Sequence, residues 1–298
     1  MKTTPQLLSE IKRGDYLSLA RALTLVENEL PGRTELLQAM AINNDVPVIG
    51  ITGPPGAGKS TLVNAMISIW SGEGKKIAVL AVDPTSPFNL GSLLGDRVRM
   101  SAHFNNPDVY IRSVATRGSM GGLAGKIIEM TDVLRSSDFD YILIETVGVG
   151  QSEIEIAGLA DITIVVLVPE AGDEIQHIKS GLMEIGDVFV VNKADRDGAE
   201  SFANQLRKSL HQRADVIPVI KTIADKHTGT GELLQWLNTA TIKSNERRLF
   251  LYAEKAYRLI QNKRMRDLSK TELQRDLAGA YHYSGFNLYR FIEQYDHK

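Results

Sequence analysis

The sequence predicts an α/β fold with a mostly parallel central sheet, flanked by helical segments before and after it. Three observations carry that prediction. Short β-branched runs recur between 48 and 220, and several are apolar throughout instead of alternating. Strands buried on both faces of a parallel sheet read this way. Stretches with helical periodicity separate the runs, completing βαβ units. The first run leads directly into a glycine-rich turn and then a helix signal.

Three regions follow from this pattern. Residues 1–45 read as an N-terminal helical appendage, with Leu7, Leu8, Ile11, Leu17, Leu19, Ala22, Leu23 and Val26 at roughly helical spacing. Pro31-Gly32 interrupts that spacing and Thr34 to Ala41 resumes it. Residues 46–241 hold the sheet domain, with strands expected over Val48–Thr52, Ile77–Val82, Val109–Val114, Tyr141–Thr146, Ile162–Val168, Val188–Asn192 and Val216–Ile220. Residues 242–298 return to a charged helical pattern, with Leu249, Leu251, Tyr257 and Ile260, then Leu277, Ala280, Leu288 and Phe291.

Composition narrows the function classes. A formal net charge of −2 argues against a general nucleic-acid binder, which needs a basic face. The chain has no cysteine, which excludes disulfides, thiolate zinc sites and a cysteine nucleophile and fits the cytoplasm. No apolar run approaches the ~20 residues that a bilayer span requires, so no membrane association is expected.

The turn after the first predicted strand is Gly53-Pro54-Pro55-Gly56-Ala57-Gly58-Lys59-Ser60, a complete G-x-x-x-x-G-K-[ST]. Its glycines let the backbone curl so that N–H groups face phosphate oxygens. The helix that opens at Thr61 adds the partial positive charge of its N-terminus. In this motif Lys59 reaches the β- and γ-phosphates and Ser60 ligates Mg²⁺. A P-loop nucleotide-binding domain is therefore expected.

The base is read from Asn192-Lys193-Ala194-Asp195, an N-K-x-D at the end of an apolar run. Guanine presents two adjacent donors, and one carboxylate accepts both. Adenine offers an acceptor there and would leave Asp195 mismatched, a discrimination worth orders of magnitude. Asn192 is expected to brace the loop and contact the base, with the alkyl stem of Lys193 covering its face. GTP and GDP, with Mg²⁺, are the expected ligands.

Two further runs end in carboxylates. Tyr141 to Gly148 closes on Glu145-Thr146-Val147-Gly148, an E-x-x-G where many GTPases have D-x-x-G. Glu145 sits where P-loop enzymes keep a metal-site carboxylate, and the Gly148 N–H is positioned to sense the γ-phosphate. The run from Ile77 ends at Asp83, with Asp96 beyond it, and both are candidates for the Mg²⁺ and water-positioning shell. Each also has a plainer reading as a helix cap or solvated charge.

Four longer stretches carry a resemblance. VDPTSPFNLGSLLGDRVRM (82–100), ATRGSMGGLA (115–124), IETVGVGQSE (144–153) and GDEIQHIKSGLME (172–184) resemble the methylmalonyl-CoA mutase-associated GTPases, the MeaB/ArgK family. The resemblance runs from about residue 15 to the C-terminus. It implies a GTPase chaperone that gates cofactor loading of an adenosylcobalamin-dependent acyl-CoA mutase and protects that enzyme from inactivation. It puts Asp83 and Asp96 on the family's Mg²⁺-site aspartates and Glu145 on its switch glutamate. It puts Pro169 to Lys179 on a mobile switch, with Asp173, Gln176 and Lys179 signalling to the partner. It also implies a homodimer formed through the C-terminal helices.

One departure concerns the loop that backs the base, where Lys221-Thr222-Ile223-Ala224 replaces a family Thr-Ser-Ala or Cys-Ser-Ala. Backbone N–H groups there can still meet guanine O6, but Ile223 offers no hydroxyl, so weaker guanine affinity is expected. No Gln follows the E-x-x-G directly, Val149 and Gly150 coming before Gln151, and Arg97, Arg99 and Arg117 are the candidate arginine fingers. Slow intrinsic hydrolysis, raised by a partner, is the expectation. A small-molecule kinase is the alternative, although no acceptor motif accompanies the phosphate loop. Metal delivery is disfavoured by the lack of cysteine and by six scattered histidines.

Overall fold

The structure, a computed structural model, describes residues 2–83, 100–115, 126–146, 152–170, 181–211, 216–240, 246–265, 268–282 and 286–295. Residues 1–248 form one compact unit and 249–298 a second.

The first unit is built on a seven-stranded sheet in the order β3-β2-β4-β1-β5-β6-β7. The strands are β1 (Val48–Thr52), β2 (Ile77–Asp83), β3 (Val109–Ala115), β4 (Tyr141–Glu145), β5 (Ile162–Leu167), β6 (Val188–Val191) and β7 (Val219–Lys221). Every pairing between them is parallel. All seven predicted strands are present, and the last is displaced. Val216 is exposed, and Pro218 has no N–H for the ladder, so pairing starts at Val219.

Uniformly apolar strands are explained by a core on each face. On β5, Ile164 and Val166 join one cluster while Val165 and Leu167 join the other. The first cluster is completed by Leu62, Met66 and Trp70 of helix α4 (Lys59–Gly72) and by Leu233 and Leu237 of helix α9 (Thr230–Thr239). The second is completed by Phe202 and Leu206 of helix α8 (Ala199–Leu210). Both faces therefore exclude water, and period-2 alternation disappears from the sequence. At Gly50 a Cβ would stand 2.6 Å from Ile156 Cγ1, so a side chain there would push helix α6 (Ser152–Leu159) off β1.

The N-terminal helices α1 (Thr4–Lys12), α2 (Tyr16–Glu27) and α3 (Arg33–Ala39) belong to this same unit. Leu7, Ile11, Leu19, Ala22, Leu23 and Val26 are buried as their spacing predicts, whereas Leu17 is exposed. Helix α2 is clamped to β3 by Arg112, whose guanidinium donates to Glu27 Oε2 at 2.6 Å and to Thr24 Oγ1 at 3.2 Å. Tyr16 and Tyr110 pack beside that clamp with ring centroids 5.4 Å apart. Helix α5 (Ile127–Arg135) lies between β3 and β4 in the chain, and helix α7 (Leu182–Ile185) precedes β6.

At the opposite edge from the β-strand C-termini, Asp161 accepts from Arg135 Nη2 at 2.6 Å and from the Val48 N–H at 2.7 Å, and Arg248 closes the cluster. The second unit holds most of helix α10 (Glu246–Arg264), with α11 (Lys270–Tyr281) and α12 (Leu288–Glu293). It is held together by a chain of aromatic contacts, Tyr281–Phe286–Phe291–Tyr295, with centroids 5.5–6.1 Å apart. Much apolar side chain stays exposed in it, including Leu249, Phe250, Tyr257, Ile260 and Tyr289. Among the described residues no helix is long and apolar enough to cross a membrane.

Candidate nucleotide site

The crevice lies at the carboxyl ends of β1, β4, β5 and β6, where ligands bind in open α/β sheets. β1 is the hub, with β4 on one side and β5 on the other. Beyond it, Gly53 to Gly58 curl into α4 through three positive-φ glycines, Gly53 (138°), Gly56 (76°) and Gly58 (88°). Two of these positions are also sterically closed. A Cβ on Gly53 would meet Val166 O at 2.1 Å, and one on Gly58 would meet Asn192 Nδ2 at 2.3 Å. Glycine is therefore required twice over, by dihedral and by space.

Within the loop Ala57 is buried while Pro55 and Gly56 are exposed, so the loop presents its backbone outward. Lys59 is buried and its ammonium donates to Gly53 O at 2.8 Å and to Pro54 O at 3.0 Å. These carbonyls supply what a buried cation needs. Thr61, on the first turn of α4, is exposed.

Ser60 and Glu145 meet at the base of the loop. The Ser60 hydroxyl donates to Glu145 Oε1 at 2.6 Å, and both residues are buried. The register explains the meeting, because Glu145 pairs with Ile51 of β1 on one side and with Ala81 of β2 on the other. Asp83, two residues past Ala81, ends β2 at the same edge of the sheet. Beside them Thr146 Oγ1 donates to Thr52 Oγ1 at 3.0 Å, tying the ends of β4 and β1 together.

The N-K-x-D segment reaches the loop from β6. Asn192 is buried, donates from Nδ2 to Ala57 O at 2.9 Å, and accepts at Oδ1 from Thr222 Oγ1 (3.1 Å) and from the Ala224 N–H (3.2 Å). One amide thus joins the phosphate loop, the strand carrying N-K-x-D and the 222–224 loop. Lys193 has φ 55°, and its ammonium donates to Gly56 O at 2.8 Å, so its stem spans from one motif to the other. Asp195 is exposed beside it, receiving Lys226 Nζ at 3.2 Å. That ammonium holds the Asp195 carboxyl below the usual carboxylate range, so it is ionised at neutral pH. The Ile223 N–H donates to Thr228 O at 3.0 Å, which leaves Ala224 as the N–H of this loop aimed toward Asn192.

The arrangement brings together Gly53 through Thr61, Glu145, Asn192, Lys193, Asp195 and the 222–224 loop, with Asp83 at the edge of the same crevice. Asp96, Gly148, Asp173, Gln176 and Lys179 lie outside the described residues, as do Arg97, Arg99, Arg117 and Gln151. Three contacts have no sequence motif behind them: Thr52 with Thr146, Lys226 with Asp195, and Lys193 with the Gly56 carbonyl. A T at the end of each of two neighbouring predicted strands was the only available hint of the first.

A family model described as Methylmalonyl Co-A mutase-associated GTPase MeaB matches residues 19–275, most of the chain. A protein of Pyrococcus abyssi named as a GTPase is 42% identical over 282 residues, 92% of this chain and 85% of that one. A protein of Caenorhabditis briggsae named methylmalonic aciduria type A homolog, mitochondrial, is 37% identical over 211 residues, 65% of this chain and 51% of that one. Among solved structures, one titled LAO/AO transport system kinase superposes with a TM-score of 0.68 at 24% identity, covering 98% of this chain and 95% of that one. At that identity the superposition speaks to the fold.

Proposed function

The chain belongs to the MeaB family of methylmalonyl-CoA mutase-associated GTPases, and we propose that it is the GTP-dependent chaperone of an adenosylcobalamin-dependent acyl-CoA mutase, gating cofactor loading and protecting that enzyme. The observation that carries the nucleotide half of this reading is the Asn192–Ala57 bond, which welds a guanine-reading segment to a phosphate-binding loop. The mutase half rests on the family and on the relative named for methylmalonic aciduria.

In this reading Asp195 accepts both donors of the guanine edge, exchanging Lys226 for the base. Lys193 lays its alkyl stem over the ring while staying anchored on Gly56 O. Lys59 trades its two carbonyl partners for oxygens of the β- and γ-phosphates, and the loop N–H groups cradle the chain of phosphates. Ala224 offers its N–H to guanine O6 when Asn192 Oδ1 shares it.

The Ser60 hydroxyl and Glu145 carboxylate form a buried pair of hard oxygen donors, which fits Mg²⁺ and does not fit a soft metal. Ser60, Asp83, Asp96 and Glu145 are the proposed holders of that ion. When bound, Mg²⁺ neutralises charge on the β- and γ-phosphates. Gly148 is the proposed sensor of the γ-phosphate, and Asp173, Gln176 and Lys179 the proposed signal to the mutase. The exposed apolar side chains of the second unit support a homodimer through its helices.

The test is GTP hydrolysis by the purified protein, alone and with a cobalamin-loaded methylmalonyl-CoA mutase. Slow basal turnover, accelerated by the mutase and abolished by Lys59→Ala, is the expected outcome. Basal turnover of several per second would refute partner activation. Label from γ-³²P-GTP appearing in a metabolite instead of inorganic phosphate would favour the kinase reading.

A further inference from the structure

We infer that the N-terminal helices carry a docking groove for an amphipathic helix of the partner enzyme, one that presents aliphatic side chains and a carboxylate. The inference rests on the mutase reading above and adds where the partner sits. A groove of ≈ 660 Å³ lies between α1, α2 and α3. Leu7, Leu17, Leu25, Leu30 and Leu36 line it, with Arg21 among them. Leu7 and Leu36 form a buried floor, while Leu17 is 61% exposed and Leu30 42% exposed. Leucines left in water beside a preformed floor match the side that a helix-in-groove contact covers.

Charge selects the occupant. Lys2, the other cation lining the groove, is already engaged by Glu10 and Asp15. Arg21 is exposed and makes no hydrogen bond or ion pair among the described residues. A guanidinium standing next to exposed leucines complements a ligand that is apolar with one carboxylate, and it penalises a basic one.

The groove is also joined to the nucleotide side of the sheet. Ala20 and Thr24 line it, and both accept from the Arg112 guanidinium, at 3.3 and 3.2 Å. Arg112 lies on β3 opposite Leu80 of β2, three residues before Asp83 ends that strand. A helix seated against α2 therefore bears on the strand pair that leads to a proposed metal carboxylate. This gives docking a route by which to alter hydrolysis.

The experiment compares the full chain with the double variant Leu17→Asp, Arg21→Glu. Both positions are exposed, so basal GTP hydrolysis and melting temperature are expected to stay at wild-type values. Affinity for the mutase, by titration calorimetry, is expected to fall at least about tenfold, together with the mutase-stimulated rate. Should the double variant melt early, Arg21→Ala alone decides, with a smaller loss of the same sign. Wild-type affinity in the variant that folds would overturn the groove and leave the chaperone reading intact. If the wild-type chain bound no cobalamin mutase, the chaperone reading and the groove would fall together. A variant that became monomeric while the wild type sedimented as a dimer would assign the groove to a second copy, which also overturns the proposal.

Discussion

Asn192 and Ala57 are 135 positions apart in the chain and 2.9 Å apart in space, joined by a hydrogen bond from the Asn192 amide to the Ala57 carbonyl. The same amide accepts from Thr222 and Ala224, so three loops share one side chain. Asn192→Ala leaves the Ala57 carbonyl, the Thr222 hydroxyl and the Ala224 N–H without this partner, each at about 1–3 kcal/mol where it stays buried and unsatisfied. GDP affinity measured by calorimetry is expected to fall by about 10–100-fold, with a lower melting temperature. Unchanged affinity would mean that the amide does not hold the loop.

Gly58 and Gly56 separate strain from collision. Both have positive φ, at 88° and 76°, yet a Cβ on Gly58 meets Asn192 Nδ2 at 2.3 Å while one on Gly56 meets nothing within 4 Å. Gly56→Ala is expected to cost about 1 kcal/mol of backbone strain. Gly58→Ala adds the displacement of Asn192 and is expected to cost more, about 2–4 kcal/mol in chemical denaturation. Equal effects would contradict the packing described.

Asp195→Asn tests the base assignment. The amide presents one donor and one acceptor in place of two acceptors, so it no longer matches both donors of guanine. GTP affinity is expected to drop by ~10²-fold or more, with xanthosine triphosphate gaining because it offers one donor and one acceptor on that edge. Competition binding with GTP, XTP and ATP reads the switch directly.

Ser60→Ala removes the hydroxyl that donates to Glu145. A rate loss of ~10²–10³ is expected at a fixed Mg²⁺ concentration, with nucleotide affinity becoming less dependent on Mg²⁺. A variant with the wild-type Mg²⁺ dependence would remove Ser60 from the proposed metal site.

His103 makes stability depend on pH. Burial holds its imidazole below the ordinary value of 6.5, so the fold accepts the neutral ring, which lies 3.4 Å from Ser68 Oγ. The unfolded chain then binds the proton more readily than the folded one below that value. The stabilisation is complete above pH 6.5 and is lost as pH falls from there through the lower folded value. Melting temperatures from pH 7.5 to 5 should decline in the wild type and flatten in His103→Gln. Parallel curves would assign the decline to another group.

Much of the fold was legible because its signals are local. Strand and loop residues that must bury apolar surface, or curl around phosphate, carry that requirement in adjacent letters. Val48 to Ser60 illustrates this: a buried strand, glycines at 53 and 58 where a Cβ would collide, and a helix start. The shift of the last strand from Val216 to Val219 had a cause in the sequence, Pro218, whose missing N–H outweighs a β-branched run. Leu17 shares the helical spacing of its buried neighbours and is exposed, because spacing gives a face without saying whether anything covers it.

By itself the sequence determined the chemical parts: a G-x-x-x-x-G-K-S loop, an N-K-x-D and carboxylates at strand ends. Only the tertiary structure decided which parts touch. The parallel order β2-β4-β1-β5-β6 carries strand C-termini to one edge, and the register sets Glu145 beside Ile51 and hence under Ser60. Nothing in the letters pairs Lys226 with Asp195, Thr146 with Thr52 or Arg112 with α2. The exposed Lys226–Asp195 pair depends only on which charges the fold sets side by side, whereas the buried Thr146–Thr52 pair and the part-buried Arg112 contacts form because a donor or acceptor that loses its water must bond whatever partner the fold has put beside it.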